Sequence, residues 1–264
     1  MTQLSKVEEH NCYDGYEISI ICCARNAESY IGECISSVIG QKGPKFKFLL
    51  LDDFSSDNTL SVAKNILVDN KISYEIYRSH VNLGVPKSRN ALIKICKTPY
   101  IAIQDADDLM TPYRLAIQMN FLNQNSHICT VGGRAIKIDD AGNFVGMMSY
   151  SPVNHDDILL MLTGRVNPMI DPTVMMRKSV FDQLGGYSEN DGLRLVQDFD
   201  LWIRMCKYGF RLANIDAPMI TYRVNSSGLT ATRKDDMIKA HVYAQACYKT
   251  FLDSIRSIHG KTER

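Results

Sequence analysis

Two acidic clusters hold most of the chemistry available to this chain. Asp52-Asp53 follows an apolar run at 46–51, and Asp105-Ala106-Asp107-Asp108 follows another at 100–103. Bunched carboxylates repel unless a cation or positive side chains compensate them. Hard divalent ions prefer oxygen ligands, and Mg2+ commonly combines carboxylates with substrate phosphates. Mn2+ suits the same ligands. Residues two apart in an extended segment face the same way, so D-x-D spacing presents Asp105 and Asp107 together. The chain has neither a G-x-x-x-x-G-K-[ST] loop nor a G-x-G-x-x-G fingerprint, so glycine-rich loops do not cradle phosphates in either standard way. A metal held by Asp107, gripping a nucleotide diphosphate, is the substitute.

Ligands of parallel sheets bind beyond the carboxyl ends of the strands, and the first half predicts such a sheet. Residues 18–22 form a continuous apolar run with β-branched members, like a strand buried on both faces. Ile31, Cys34, Ile35, Val38 and Ile39 follow at helical spacing. A second strand at 46–51 precedes Asp57, which can cap a helix bearing Leu60, Ala63, Ile66 and Leu67. A short strand at 74–77, a helix opened by Pro86 and a strand at 100–103 complete a β-α-β-α-β-α-β order. That order predicts an α/β fold with a mostly parallel, Rossmann-like sheet. The second half is less regular. It predicts helices at 112–122, 155–163 and 199–208, strands at 131–138, 144–147 and 173–176, and a turn at 139–142. A long helix at 235–258 is expected to bury Ile238, Val242, Ala246 and Phe251.

Composition sets the outer limits. With 264 residues, 45% hydrophobic, the chain can build one large core. A net charge of +1 offers no basic face for nucleic acid. The eight cysteines contain no C-x-x-C pair and read as reduced, small hydrophobes. Cys22 and Cys23 should point to opposite faces of a strand. The polar stretch 1–15 lacks the apolar core of a signal peptide, and no stretch approaches the roughly 20 apolar residues that span a bilayer. The expectation is a cytoplasmic protein, with peripheral contact at the inner face of the membrane left open.

Five motifs in order resemble the family 2 glycosyltransferases of the GT-A fold, over about residues 18–230. These are the opening strand through Asn26-Ala27-Glu28, then Asp52-Asp53-Phe54-Ser55-Ser56-Asp57-Asn58-Thr59, then Asn82-Leu83-Gly84 with Ser88-Arg89-Asn90. The metal motif Asp105-Ala106-Asp107-Asp108 follows, then Gly185-Gly186-Tyr187 with Gln197-Asp198-Phe199-Asp200-Leu201-Trp202. The resemblance implies a nucleotide-sugar-binding half at 16–110, an acceptor-binding half at 111–232 and a C-terminal helix at 233–264, after a 1–15 extension. It implies an inverting transfer of one hexose or N-acetylhexosamine from a UDP-sugar, with Mn2+ or Mg2+, to a glycan or lipid-linked glycan such as an O-antigen or capsule repeat.

The same resemblance assigns roles. Asp53 accepts from the nucleobase, with Ala24, Arg25, Asn26 and Glu28 near the nucleoside. Arg89 contacts the diphosphate or the acidic cluster. Asp105 and Ala106 lie against the donor, and Asp107 binds the metal. Asp198 is the general base, with Asp171, Gln197 and Trp202 on the acceptor side, although Trp202 and Leu201 also read as core residues. Arg204, if helical, lies near Asp200 as a structural ion pair. The chain departs from the pattern in places. Cys23-Ala24-Arg25-Asn26 lacks the family's base-stacking aromatic, leaving Arg25 as the candidate to stack. Gln197 replaces a common acid, Asp171 a common histidine, and Asn225 a histidine that can help hold the metal. Two alternatives remain at this stage, a sugar nucleotidyltransferase and a catalytically inactive GT-A binding module. The first should begin with a glycine-rich loop after its first strand, which 22–26 does not supply.

Overall fold

The computed structural model describes residues 4–12, 15–148, 151–164, 166–225, 228 and 232–259. Its parallel core consists of β2 (Ile18–Ala24), β3 (Phe46–Asp52), β4 (Ser73–Ser79) and β5 (Tyr100–Asp105), paired in the order β4-β3-β2-β5. These are the four apolar runs read from the sequence. Both faces of the sheet are covered. α1 (Ile31–Ile39) and α2 (Thr59–Val68) bury Ile31, Cys34, Ile35, Val38, Ala63 and Leu67 on one side. α3 (Val85–Ile95) buries Leu92 and Ile93 on the other. Strand alternation puts Cys22 in the first cluster and Cys23 against the second, as the period of two requires.

The second half extends the same sheet. After β6 (Leu109–Met110) and α4 (Arg114–Gln124) come β7 (Ile128–Ile138) and β8 (Phe144–Met147), an antiparallel pair. α5 (His155–Leu162) and a single 3-10 turn (Asp171–Thr173) lead to β9 (Met175–Arg177). β9 lies between β5 and β7 and is antiparallel to both, which joins the two halves into one ten-stranded sheet. α6 (Lys178–Leu184) and α7 (Gln197–Lys207) follow, then β10 (Arg211–Arg223), which runs parallel to β7.

The structure corrects the sequence reading in three places. The polar N-terminal stretch contains an edge strand, β1 (Leu4–His10), antiparallel to β4. Edge strands tolerate polar residues because one side faces water. The thirteen-residue β10 is not legible in the sequence. Asp216 and Pro218 interrupt its apolar pattern, and the register shifts on either side of Pro218, as expected for a residue that cannot donate to a ladder. The C-terminal helix is two helices, α8 (Lys234–Cys247) and α9 (Lys249–His259), broken at Tyr248. They bury Ala240, Ala244, Leu252 and Ile255, while the expected core residues Ile238 and Val242 are exposed. Residues 260–264 of the expected helix lie outside the described residues.

A buried contact is made at the break. Asp200 on α7 is fully buried. One of its oxygens accepts from Arg204 Nε at 2.8 Å and the other from the Tyr248 hydroxyl at 2.6 Å. The helical ion pair expected at Asp200 and Arg204 is therefore present, and it also anchors the junction between α8 and α9. Tyr248→Phe deprives a buried carboxylate oxygen of its donor, a loss that costs about 1–3 kcal/mol. Denaturant unfolding should show that loss, and limited proteolysis should cut within 233–259 sooner than in the wild type.

Candidate active site

The strand ends deliver carboxylates, and one buried guanidinium gathers them. Asp105 ends β5, and Arg89 rises from α3 with only 3% of its surface exposed. Arg89 Nη2 meets Asp105 Oδ1 at 2.5 Å, and Nη1 pairs with Asp171 Oδ2. The Tyr187 hydroxyl donates to the other Asp171 oxygen at 3.0 Å, and the Arg89 guanidinium lies 5.5 Å from the Tyr187 ring centroid. Asn90, the next residue on α3, clamps the same segment. It accepts from Tyr187 N at 2.8 Å and donates to Tyr187 O at 2.9 Å. Gly186 has φ +85°, and a Cβ there would lie 2.6 Å from Asn90 Oδ1, so this approach needs glycine. The Arg89-Asn90 and Gly185-Gly186-Tyr187 motifs are thus one contact.

Asp198 sits in the first turn of α7, where its Oδ2 accepts from Asn167 Nδ2 at 2.5 Å. Burial raises its pKa, opposed by the Phe199 amide and by Arg89. Asp171 is pushed up to about 6, chiefly by burial, with Arg89 working against the shift and Asp198 and Asp105 adding to it. These mutual influences place Asp198, Asp171 and Asp105 in one electrostatic neighbourhood. Asp171 is 6% exposed and turned to Arg89 and Tyr187, which makes it a brace between α3 and the 185–187 turn.

A second arginine holds the metal motif. Arg223, at the end of β10, donates from its backbone N–H to Asp108 Oδ1 at 2.9 Å and from Nε to the Asp107 carbonyl at 3.2 Å. Its Nη2 pairs with Glu33 at 2.6 Å, Nη1 donates to the carbonyls of Asp139 and Asp140, and the guanidinium lies 5.1 Å from the Tyr30 ring centroid. Sequence reasoning missed this role, because nothing in Tyr222-Arg223 says which carbonyls it will meet. The Asp107 carboxyl is raised to about 6, first by burial and then by the charge on Asp105. Asp108 is also raised by burial, and its Oδ2 is buried with no hydrogen-bond partner.

These residues fit a divalent cation. Asp105 is paired with Arg89, whereas Asp107 bears a carboxylate whose charge its surroundings disfavour, and an oxygen-seeking ion relieves that. Among the described residues no group of three His, Cys, Asp or Glu side chains is assembled for a metal. A cation here would rely on Asp107, substrate phosphates and water. Asn225 follows Arg223 by two residues, and its N–H donates to the Arg223 carbonyl at 3.0 Å.

The expected nucleotide loops lie at the ends of β2 and β3 and are laced to each other. Asn26 N–H donates to Ser55 Oγ at 3.0 Å, and Asn26 Oδ1 accepts from Ser56 N at 2.9 Å. Glu28 accepts from Asn58 N and Nδ2 at 3.1 and 2.9 Å. Asp57 Oδ1 accepts from Thr59 N at 3.0 Å in the turn that leads into α2, but the N-cap position falls on Asn58 and not, as expected, on Asp57. Asp53, 4% exposed, accepts from Leu83 N at 2.8 Å and Gly84 N at 2.9 Å, and its own N–H donates to Ala24 O at 2.8 Å. Ala24 and Ala106 are buried at 1% and 8% exposure, while Arg25 stands exposed. Asn26, Glu28 and Asp53 therefore build the loops. At the start of α7, Gln197 Oε1 is buried without a hydrogen-bond partner. Trp202 corrects the acceptor-side expectation, since at 0% exposure it lies wholly in the core beside Leu201 and cannot touch an acceptor.

The sequence profile of Glycosyl transferase family 2 matches residues 19–185, more than half of the chain, and the chain belongs to that family. It is a glycosyltransferase. The putative glycosyltransferase EpsE of Bacillus subtilis (strain 168) is 31% identical over 212 residues, covering 80% of this chain and 74% of EpsE. The O-antigen biosynthesis glycosyltransferase WbnJ of Escherichia coli is 26% identical over 215 residues, covering 79% of this chain and 80% of WbnJ. Among solved structures, S. aureus TarS 1-349 in complex with UDP-GlcNAc superposes with a TM-score of 0.67 at 19% identity. That match covers 82% of this chain and 61% of the TarS chain, so this chain spans less than two thirds of that protein. The mannosyltransferase PcManGT from Pyrobaculum calidifontis, in complex with GDP-Man and Mn2+, gives 0.64 at 13% identity, covering 96% and 81%. At such identities the likeness establishes the fold, which is GT-A.

The Asp107 environment sets a pH dependence. Its folded pKa of about 6 lies above the unfolded value near 3.9. In metal-free protein its contribution to stability is therefore fullest at low pH and is lost as pH rises through about 4 to 6. A bound cation needs the ionised form, so metal affinity should drop by about tenfold per pH unit below about 6. The melting-temperature gain from Mn2+ with UDP should be larger at about pH 7 than at about pH 5; an equal gain would contradict this environment for Asp107.

Proposed function

We propose that this glycosyltransferase transfers a single hexose or N-acetylhexosamine from a UDP-sugar to a hydroxyl of a glycan or lipid-linked glycan, with inversion. The observation that supports this reading most is the pairing of Arg89 with both Asp105, at the carboxyl end of β5, and Asp171, whose carboxyl also feels the charge of Asp198. Donor-side and acceptor-side acids thus share one site. The nucleoside occupies the loops that follow β2 and β3, where Asp53 keeps lone pairs for a base N–H beyond those used by Leu83 and Gly84. Relatives of similar length are named for surface glycans, among them WbnJ for O-antigen and TuaG of Bacillus subtilis for teichuronic acid. They support an acceptor of that class, reached by peripheral contact with the membrane. Among the described residues no helix is long and apolar enough to cross one.

In the proposed reaction Asp198 takes the proton from the acceptor hydroxyl as its oxygen attacks the anomeric carbon. The new C–O bond forms on the face opposite the diphosphate, whose C–O bond breaks, so the configuration inverts. Burial raises the basicity of Asp198, and the Asn167 amide orients one of its oxygens. Arg89 keeps Asp105 from repelling the donor phosphates and fixes Asp171 behind the acceptor side. A Mn2+ or Mg2+ ion on Asp107, with Asn225 as a further oxygen donor, would offset the charge on the departing diphosphate.

Asp198→Asn keeps the shape and hydrogen-bonding reach of the side chain but removes the base. Turnover, followed as UDP release with a donor and acceptor panel, should fall by about 10²–10⁴-fold while UDP binding with Mn2+ persists. Near-normal turnover would remove Asp198 from the base role.

A further inference from the structure

Among the described residues only two non-glycine residues have left-handed backbone, Asn26 at φ 49° and Phe54 at φ 61°. Asparagine tolerates that region, but for a bulky residue such as phenylalanine it is a genuine outlier. Both residues follow the carboxyl ends of adjacent parallel strands, β2 and β3, where ligands of such sheets bind. The surrounding loop is over-determined. Asp53 N–H is held by Ala24 O, Asn26 is bonded to Ser55 and Ser56, and Ala27 N–H donates to Thr59 Oγ1 at 2.8 Å. Strain held in this way clusters at ligand sites.

The fold gives no reason for an aromatic side chain at this position. Phe54 is 49% exposed and belongs to neither buried cluster. Glycine would adopt the same backbone without strain. Phe54 directly follows Asp53, a buried acceptor, and its loop is bonded to the one bearing Arg25, where this chain lacks an aromatic. A ligand suited to a flat apolar face next to a hydrogen-bond acceptor is a planar heteroaromatic ring with an N–H.

We propose that Phe54 is the stacking platform for the nucleobase of the donor. The inference rests on the nucleotide-sugar reading and adds the residue that holds the base. The strained backbone orients the ring, and the laced loops hold it in place before the ligand arrives. Arg25 is then free to meet the ribose or the phosphates.

The test titrates UDP and inorganic pyrophosphate, each with Mn2+, into the wild type, Phe54→Gly, Phe54→Leu and Phe54→Tyr. Base stacking on an aromatic side chain is strong enough that its loss in the Gly and Leu variants should weaken UDP by about tenfold. Pyrophosphate affinity should stay at the wild-type value, Phe54→Tyr should restore UDP, and the melting temperature of Phe54→Gly should not drop because strain is relieved. Wild-type UDP affinity in both Gly and Leu variants overturns the platform, and so does an equal loss of UDP and pyrophosphate, which would mark a purely structural loop role. If the wild type binds pyrophosphate with Mn2+ but not UDP, the nucleotide reading itself falls and the platform falls with it.

Discussion

A guanidinium buried among carboxylates is stable only while its partners stay in place, and the site is organised around that constraint. Arg89 leaves α3 and meets Asp105 from β5 and Asp171 from the 3-10 turn, while Tyr187 closes the far side of Asp171. Removing one partner of such a buried group leaves an uncompensated charge, which costs several kcal/mol. The positions of the β5 end, the 168–173 segment and the 185–187 turn are therefore interdependent. Asn90 and the glycine at 186 serve the same end by letting that turn come close to α3.

Arg223 supplies a second anchor of a different kind. It bonds mostly to main-chain carbonyls and to Glu33, so it fixes the Asp105–Asp108 loop while its charge only partly offsets the rise at the Asp107 carboxyl. The result is a division of labour between neighbouring acids. Asp105 is paired and Asp107 is left electrostatically dissatisfied, with its pKa raised to about 6. A site in that state favours a ligand that brings positive charge.

The legible part of the fold was its parallel half. β2, β3 and β5 are largely apolar on both faces, so they read as near-continuous runs, and the acids at the ends of β3 and β5 stood out against them, while β4 was legible only through Tyr74, Ile76 and Tyr77. β1 and β10 were hidden because their stability comes from pairing, with polar residues or Pro218 breaking the pattern. The site residues were legible as types and less so as partners. That Arg89 would meet Asp105 was within reach of motif order, but its bond to Asp171 depends on β9 crossing between β5 and β7. Of the two readings of Trp202, the core one holds at 0% exposure, and the acceptor-side role implied by the resemblance does not. At the break, Tyr248 makes a tertiary hydrogen bond to Asp200 that no local propensity encodes.

The proposed function turns on docking of a metal-bound nucleotide diphosphate at Asp107. Thermal melting of the wild type and Asp107→Ala with a panel of nucleoside diphosphates, with and without Mn2+, tests it most directly. Saturating ligand at about 100 times its dissociation constant adds roughly 2.7 kcal/mol of stability. Melting temperature should rise with UDP and Mn2+ together, change little with either alone, and lose the joint effect in Asp107→Ala. No metal-dependent shift with any nucleotide, or an undiminished shift in Asp107→Ala, would contradict it.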